Sequence, residues 1–203
     1  MDFRKMSIDE FLDTLGSSSP TPGGGTVAAL SGALAAGLTK MVASLTQGKK
    51  GYEDHYSLMQ ETALLETQEI EWFKTMMDED SKAFNQVTTA MKLPKETPVQ
   101  KEVRTSAIQE AFKTATKTPY EIAQHIVRLV PRAALMAHYG NKNAKSDALC
   151  ALELCKAGFH MALENISINL EMIKDVAFVQ HTRNAVSELK TQFEGGLKQA
   201  IDQ

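Results

Sequence analysis

The chain has 203 residues, 43% of them hydrophobic and 23% charged, with a formal net charge of -3. That is enough for one domain, residues 1–203, with a sizeable core, and it excludes a disordered segment or a disulfide-stapled miniprotein. The near-neutral charge also removes the basic footprint of a nucleic-acid binder, so no nucleic-acid partner is expected.

The opening MDFRKMSIDEFLD is interrupted by Asp9, Glu10 and Asp13, so it does not read as a secretory leader. Ser7 and Glu10 have the S-x-x-E form of a capping box, which predicts a short helix ending near Gly16. SSSPTPGGG, residues 17–25, is a loop by composition. A helix over 26–46 follows, rich in Ala and Gly, whose small side chains let neighbours approach closely; this is the expected central helix. Its most apolar run, residues 27–38, falls short of the roughly 20 needed to cross a bilayer, so a buried helix and no membrane partner are expected. Gly48-Lys49-Lys50-Gly51 should close it, with glycine in the left-handed turn and lysines at the negative end of the dipole.

Residues 53–91 lack Pro and Gly and carry an apolar stripe of Tyr56, Met59, Ala63, Ile70, Phe73, Met77, Phe84, Val87 and Met91, the spacing of a long bundle helix. After Leu93-Pro94, Thr97, Pro98 and Gln100 predict a capped helix running to about Tyr139, bent or interrupted near Pro119 and Pro131. Further helices are expected over 146–170 and 175–199, with Gly195-Gly196 fraying the last. The predicted fold is all-α, a single antiparallel bundle of five or six helices, two of them long.

Asp80 falls on the long helix's apolar stripe, between Met77 and Phe84, whereas Asp78 and Glu79 point away from it. A buried carboxylate has a raised pKa, which suits proton exchange near neutral pH; the alternative is a structural ion pair or a solvated groove position. Gly23-Gly24-Gly25-Thr26-Val27-Ala28 fits G-x-G-x-x-A but follows no strand, so a Rossmann site is excluded, and no P-loop occurs. What remains is a helix N-terminus able to hold an anion or a carbonyl, or simply a tight turn.

The connection 140–147 is polar and is either a binding loop or ordinary capping, with Ser146 as N-cap and Asp147 in the first turn. Asn165 and Asn169 share one helical face, and a planar heterocycle or a neighbouring helix would satisfy them. The five histidines show no metal-ligand spacing, so no metal is expected, and no serine-nucleophile motif is legible. Cys150 and Cys155, five apart, form neither a redox pair nor a metal site, which fits a reduced, cytoplasmic setting.

Four segments in order, FLDTLGSSSPTPGGGTVAALSGALAAGL, LTQGKKGYE, DEDSKAFNQVTTAMKLPKETPVQK with RTSAIQEA, and GNKNAKSDALCALELCKAGFHMALENISINL, resemble the formimidoyltetrahydrofolate cyclodeaminase family. That family includes the stand-alone methenyltetrahydrofolate cyclohydrolases. The resemblance implies an all-helical, self-associating protein, a homodimer or higher oligomer. It also implies a folate substrate, without metal, nucleotide or other cofactor.

The family's catalytic aspartate is the second Asp of D-x-D-x-x-A-F, which is Asp80 here. The resemblance carries the folate pocket to Pro22, Gly23, Gly24 and Gly25. It carries it also to Asn141, Ser146 and Asp147, and to Asn165 and Asn169. Lys142 and Ser81-Lys82 depart from many relatives and alter the charge expected at the pocket mouth. Cyclisation of 5-formimidoyltetrahydrofolate with loss of ammonia is the expected activity. The alternatives are hydrolysis of the methenyl compound to 10-formyltetrahydrofolate, or a non-catalytic folate-binding or scaffold bundle.

Overall fold

Ser7 accepts the amide of Glu10 while the Glu10 carboxylate takes the Ser7 amide, so the first capping box forms and starts α1, Ile8–Leu15. The computed structural model describes residues 2–202, with side chains described through residue 198. Five longer helices follow: α2 Gly24–Thr46, α3 Tyr56–Met91, α4 Pro98–Tyr139, α5 Lys145–Glu171 and α6 Val176–Asp202. Among the described residues there is no strand.

α2 is the centre of the bundle and packs most extensively on α3 and α5, with α4 behind. By length and composition α2 is apolar enough to cross a membrane, yet more than half of its apolar window is buried inside the bundle. The β-carbon that Gly32 lacks would lie 2.4 Å from the Phe73 ring, so only glycine admits that aromatic at the helix interface. Val42 and Ala43 cluster with Met59 and with Ala148 farther along. These pairings make α3 and α5 both antiparallel to α2. Gly48 and Gly51 supply the expected positive φ angles, 69° and 88°, in the turn that reverses the chain.

Several expectations need correction. α4 is not interrupted: it runs through Pro119 and Pro131 as one helix of 42 residues. Proline at 119 leaves the Ala115 carbonyl without its intrahelical donor, and Asn169 Nδ2 on α5 supplies one at 2.9 Å. α5 begins at Lys145 with Ala144 as N-cap, so Ser146 does not cap it; a 3-10 turn, Lys142–Ala144, precedes it and Asn141 caps that turn instead. α6 continues past Gly195-Gly196 rather than fraying there, and a β-carbon on Gly196 would lie 3.2 Å from Val130 of α4. Lys49 does not face the helix dipole freely, because its ammonium donates to Asn141 Oδ1 at 2.8 Å.

Asp78 points away from the apolar stripe, as expected, yet it is buried. The N-terminal segment covers it: the Phe3 amide donates to Asp78 Oδ1 at 2.9 Å and Arg4 Nε lies 3.5 Å from Oδ2. At the far end of the stripe Phe84 and Met91 are exposed rather than packed, 37% and 41%. The reason lies in α2, which starts opposite Asp80 and leaves the last turns of α3 without it.

Candidate active site

α2 starts without a side-chain cap: Gly23 is its N-cap and has no oxygen to offer. Its first amides are therefore open to a group from elsewhere. Asp80 of α3 fills that role. The Thr26 hydroxyl donates to Asp80 Oδ2 at 2.9 Å, and the Thr26 amide also bonds the carboxylate. A β-carbon on Gly25 would lie 2.0 Å from Asp80 Oδ1, so the carboxylate sits directly against the glycine backbone. Thr26 Oγ1 lies in turn 3.3 Å from the buried Ser81 hydroxyl.

Burial pushes the Asp80 carboxyl up from its ordinary value, and the two Thr26 hydrogen bonds oppose that rise. Among the described residues Asp80 makes no ion pair, so the Thr26 hydrogen bonds and the α2 N-terminus are what stabilise its ionised form. Burial likewise pushes the Cys155 thiol up to about 12, so it is no ready nucleophile. Among the described residues no three His, Cys, Asp or Glu side chains gather as a metal site.

Gly24, one residue before Gly25, stands against the other wall: a β-carbon there would lie 2.9 Å from Asn165 Nδ2 of α5. Asp80 and Asn165 thus flank two consecutive residues whose Cα atoms are about 3.8 Å apart. α3 continues from Asp80 to Met91 and α5 from Asn165 to Glu171. At 1.5 Å per residue they overhang the start of α2 by about 16 Å and about 9 Å. The floor beneath is the first half of α4, where Ala111, Phe112 and Ala115 pack with Val87 and Ile166. Asp80 of α3 and Asn165 of α5 thus stand on either side of the α2 N-terminus, against Gly25 and Gly24 respectively. Pro22 is buried in the loop that leads into it, and Gly23 is half-buried.

The structure does not bring the remaining candidates to Asp80 within one chain. The Asn141 amide donates to Thr46 Oγ1 at 2.8 Å and Asn141 Nδ2 to the Leu45 carbonyl at 3.3 Å, so Asn141 closes the C-terminal end of α2. That end is about 32 Å from Gly25 along the helix. Ser146 is exposed and Asp147 half-buried at the start of α5, near that same end. Within one chain these three share no pocket with Asp80. Two concavities, about 610 Å³ between α5 and α6 and about 570 Å³ between α3 and α4, do not include Asp80. Thr26 was missed by sequence reasoning, although it directly follows the glycine run that was singled out.

Fold and site together define an all-helical scaffold that holds a buried carboxylate, raised in pKa, at the start of its central helix. The family model described as formiminotransferase-cyclodeaminase matches residues 7–188, and the chain belongs to that family. It is 35% identical over 93% of its length to formimidoyltransferase-cyclodeaminase of Gallus gallus, covering 35% of that protein. It is 39% identical over 86% of its length to methenyltetrahydrofolate cyclohydrolase of Methylorubrum extorquens, covering 84% of that one. The chain therefore spans about a third of the length of the former relative and most of the latter. A crystal structure of formiminotetrahydrofolate cyclodeaminase from Thermotoga maritima superposes with a TM-score of 0.88 at 31% identity, covering 98% of this chain and 96% of that one.

Proposed function

We propose that this protein is a folate one-carbon enzyme that closes the ring of 5-formimidoyltetrahydrofolate, with Asp80 as general acid and base. The observation that carries the reading is the Asp80 carboxylate, raised in pKa by burial, held by Thr26 and free of any cationic partner among the described residues. N10 attacks the amidine carbon, a tetrahedral intermediate forms, and its amino group leaves as ammonia to give 5,10-methenyltetrahydrofolate. Asp80 accepts the N10 proton and returns a proton to the departing nitrogen, a role worth typically 10²–10⁴ in rate. Holding N10 against the carbon supplies the rest by proximity.

A second reading is favoured by the 39% identical relative, which is named a methenyltetrahydrofolate cyclohydrolase. There, water adds to the carbon between N5 and N10, and the N5–carbon bond breaks to give the 10-formyl compound. The proton inventory at Asp80 is the same. Ammonia release from the formimidoyl substrate, measured beside loss of the methenyl chromophore, separates the two. Asp80→Asn should keep the fold and lose at least 100-fold in turnover. Full turnover by that variant removes Asp80 from the mechanism, and a wild type inert towards both substrates leaves a binding or scaffold role.

The same reading includes self-association. Leu34, Met41 and Leu45 of α2 are exposed, and Leu30 and Leu38 half-buried, in a stripe of helical spacing on one side of the central helix. A second copy of the chain is the partner proposed for that stripe. The two cysteines, Cys150 exposed and Cys155 buried, are unpaired, which supports a reducing, cytoplasmic setting.

A further inference from the structure

A threonine hydroxyl inside a helix ordinarily bonds the carbonyl four residues back. Thr39 and Thr46 of α2 do so, donating to the Ala35 and Val42 carbonyls at 2.8 and 2.7 Å. Thr26 has no such acceptor, because it is the third residue of α2 and the first helical hydrogen bond there runs from the Val27 amide to the Gly23 carbonyl. Its hydroxyl turns instead to α3, where it meets two side chains, Asp80 at 2.9 Å and Ser81 at 3.3 Å.

A hydroxyl has one hydrogen, and an ionised carboxylate only accepts. The Thr26 hydrogen therefore points at Asp80 Oδ2, and the hydrogen between Thr26 and Ser81 must come from Ser81. Ser81 is 5% exposed and has no other hydrogen-bond partner among the described residues. The donors run in one direction, from Ser81 to Thr26 to Asp80, and each polarises the next by about 10–30%. With Ser81 removed, only the carboxylate itself orients the Thr26 hydroxyl.

The charged groups nearby are engaged elsewhere. On α3, Asp78 is held by the Phe3 amide and Arg4, and Glu79 pairs with Lys82 at 2.7 Å. α2 carries no titratable side chain before Lys40, about 21 Å along the helix from Thr26. On α4, Lys113 pairs with Glu110 and Asp175, His125 bonds Glu69, Tyr120 packs on the core, and Lys117 and Glu121 are exposed. Asn165 of α5 is neutral, and Glu164 beside it is exposed.

We infer that Ser81 is a positioning residue of this site: by donating to Thr26 it aims the Thr26 hydroxyl at Asp80 and so favours the ionised, proton-accepting form of that carboxylate. The inference rests on the reading of Asp80 as the base. Ser81 acts through Thr26 and is not itself a catalytic residue.

The test reads the ionisation of Asp80 directly, from its carboxyl carbon shift in protein labelled with carbon-13 aspartate and assigned with Asp80→Asn, beside the acid limb of kcat/KM. Ser81→Ala removes one oxygen from a helix that favours alanine, so the fold is kept. Its Asp80 midpoint and its acid limb should both rise, by about half a pH unit. In a Thr26→Val background the same substitution should move neither, because the link is already cut. An unmoved midpoint in Ser81→Ala overturns the inference. So does an equal rise in the Thr26→Val background, which would mean that Ser81 reaches Asp80 by another route. The carbon shift needs no substrate: a wild type inert towards both folates, whose Asp80 midpoint still responds to Ser81→Ala, overturns the folate reading and leaves the link from Ser81 to Asp80 standing.

Discussion

Gly25 and Asp80 touch as no other residue pair could: any side chain at position 25 would begin 2.0 Å from the Asp80 carboxylate oxygen. Gly25→Ala must therefore displace either the start of α2 or the carboxylate. Overpacking of this kind costs typically 1–3 kcal/mol in stability. The larger expected effect is on turnover, since a misplaced catalytic group costs on the order of 10²-fold. Gly195, exposed on α6, has nothing within 4 Å of its missing β-carbon. Gly195→Ala should leave turnover unchanged, and a Gly25→Ala enzyme as active as Gly195→Ala would show that the contact has no catalytic role.

With Asp80 as the proposed base, Thr26 should set the acid limb of the pH profile. Burial raises the Asp80 pKa and the Thr26 hydroxyl lowers it. The base must be ionised, so kcat/KM should rise with pH through a pKa above the ordinary 3.8 of an aspartate. Thr26→Val keeps the shape, removes the hydroxyl donor, and should move that limb to higher pH. A limb that stays in place, or moves to lower pH, would separate Thr26 from the titration.

Much of this was legible locally. The two capping boxes, Ser7 with Glu10 and Thr97 with Gln100, read correctly because their partners lie within one turn. The position of Asp80 beside a packed stripe followed from periodicity, which needs only one helix. What escaped depended on distant chain. Asp78 is covered by Phe3, 75 residues away, and Thr26 meets Asp80 across 54 residues. Asn141, Ser146 and Asp147 seemed compatible with Asp80 until the length of α2 placed them at its opposite end. Phe84 looked like core because sequence does not reveal that its packing partner has already ended.

The exposed stripe on α2 predicts the oligomeric state. Leu34 and Leu45 are each 50% exposed on a helix whose opposite side is buried in the bundle. If a second copy covers them, Leu34→Glu with Leu45→Glu places two unpaired carboxylates in an apolar interface, a cost of several kcal/mol. Sedimentation equilibrium should find the wild type associated and the double variant monomeric, with unchanged helix content by circular dichroism. A wild type that is monomeric at every concentration would leave the stripe without this partner.

Glu66 provides a stability test apart from the site. It is fully buried between α3 and α4, bonded to Arg132, while Glu69 lies 3.4 Å from Arg132 and bonds His125. Burial outweighs the Arg132 guanidinium and pushes the Glu66 carboxyl from 4.5 up to about 7. Between those values the folded protein holds a proton that the unfolded chain has released. The stabilisation is therefore complete below about pH 4.5 and is lost as pH rises through about 7. The span corresponds to roughly 3 kcal/mol at most. Glu66→Gln stays neutral at every pH, so its stability relative to wild type should climb between pH 5 and pH 8 in urea unfolding. Parallel pH profiles for the two would mean that Glu66 remains ionised in the fold, with Arg132 compensating it fully.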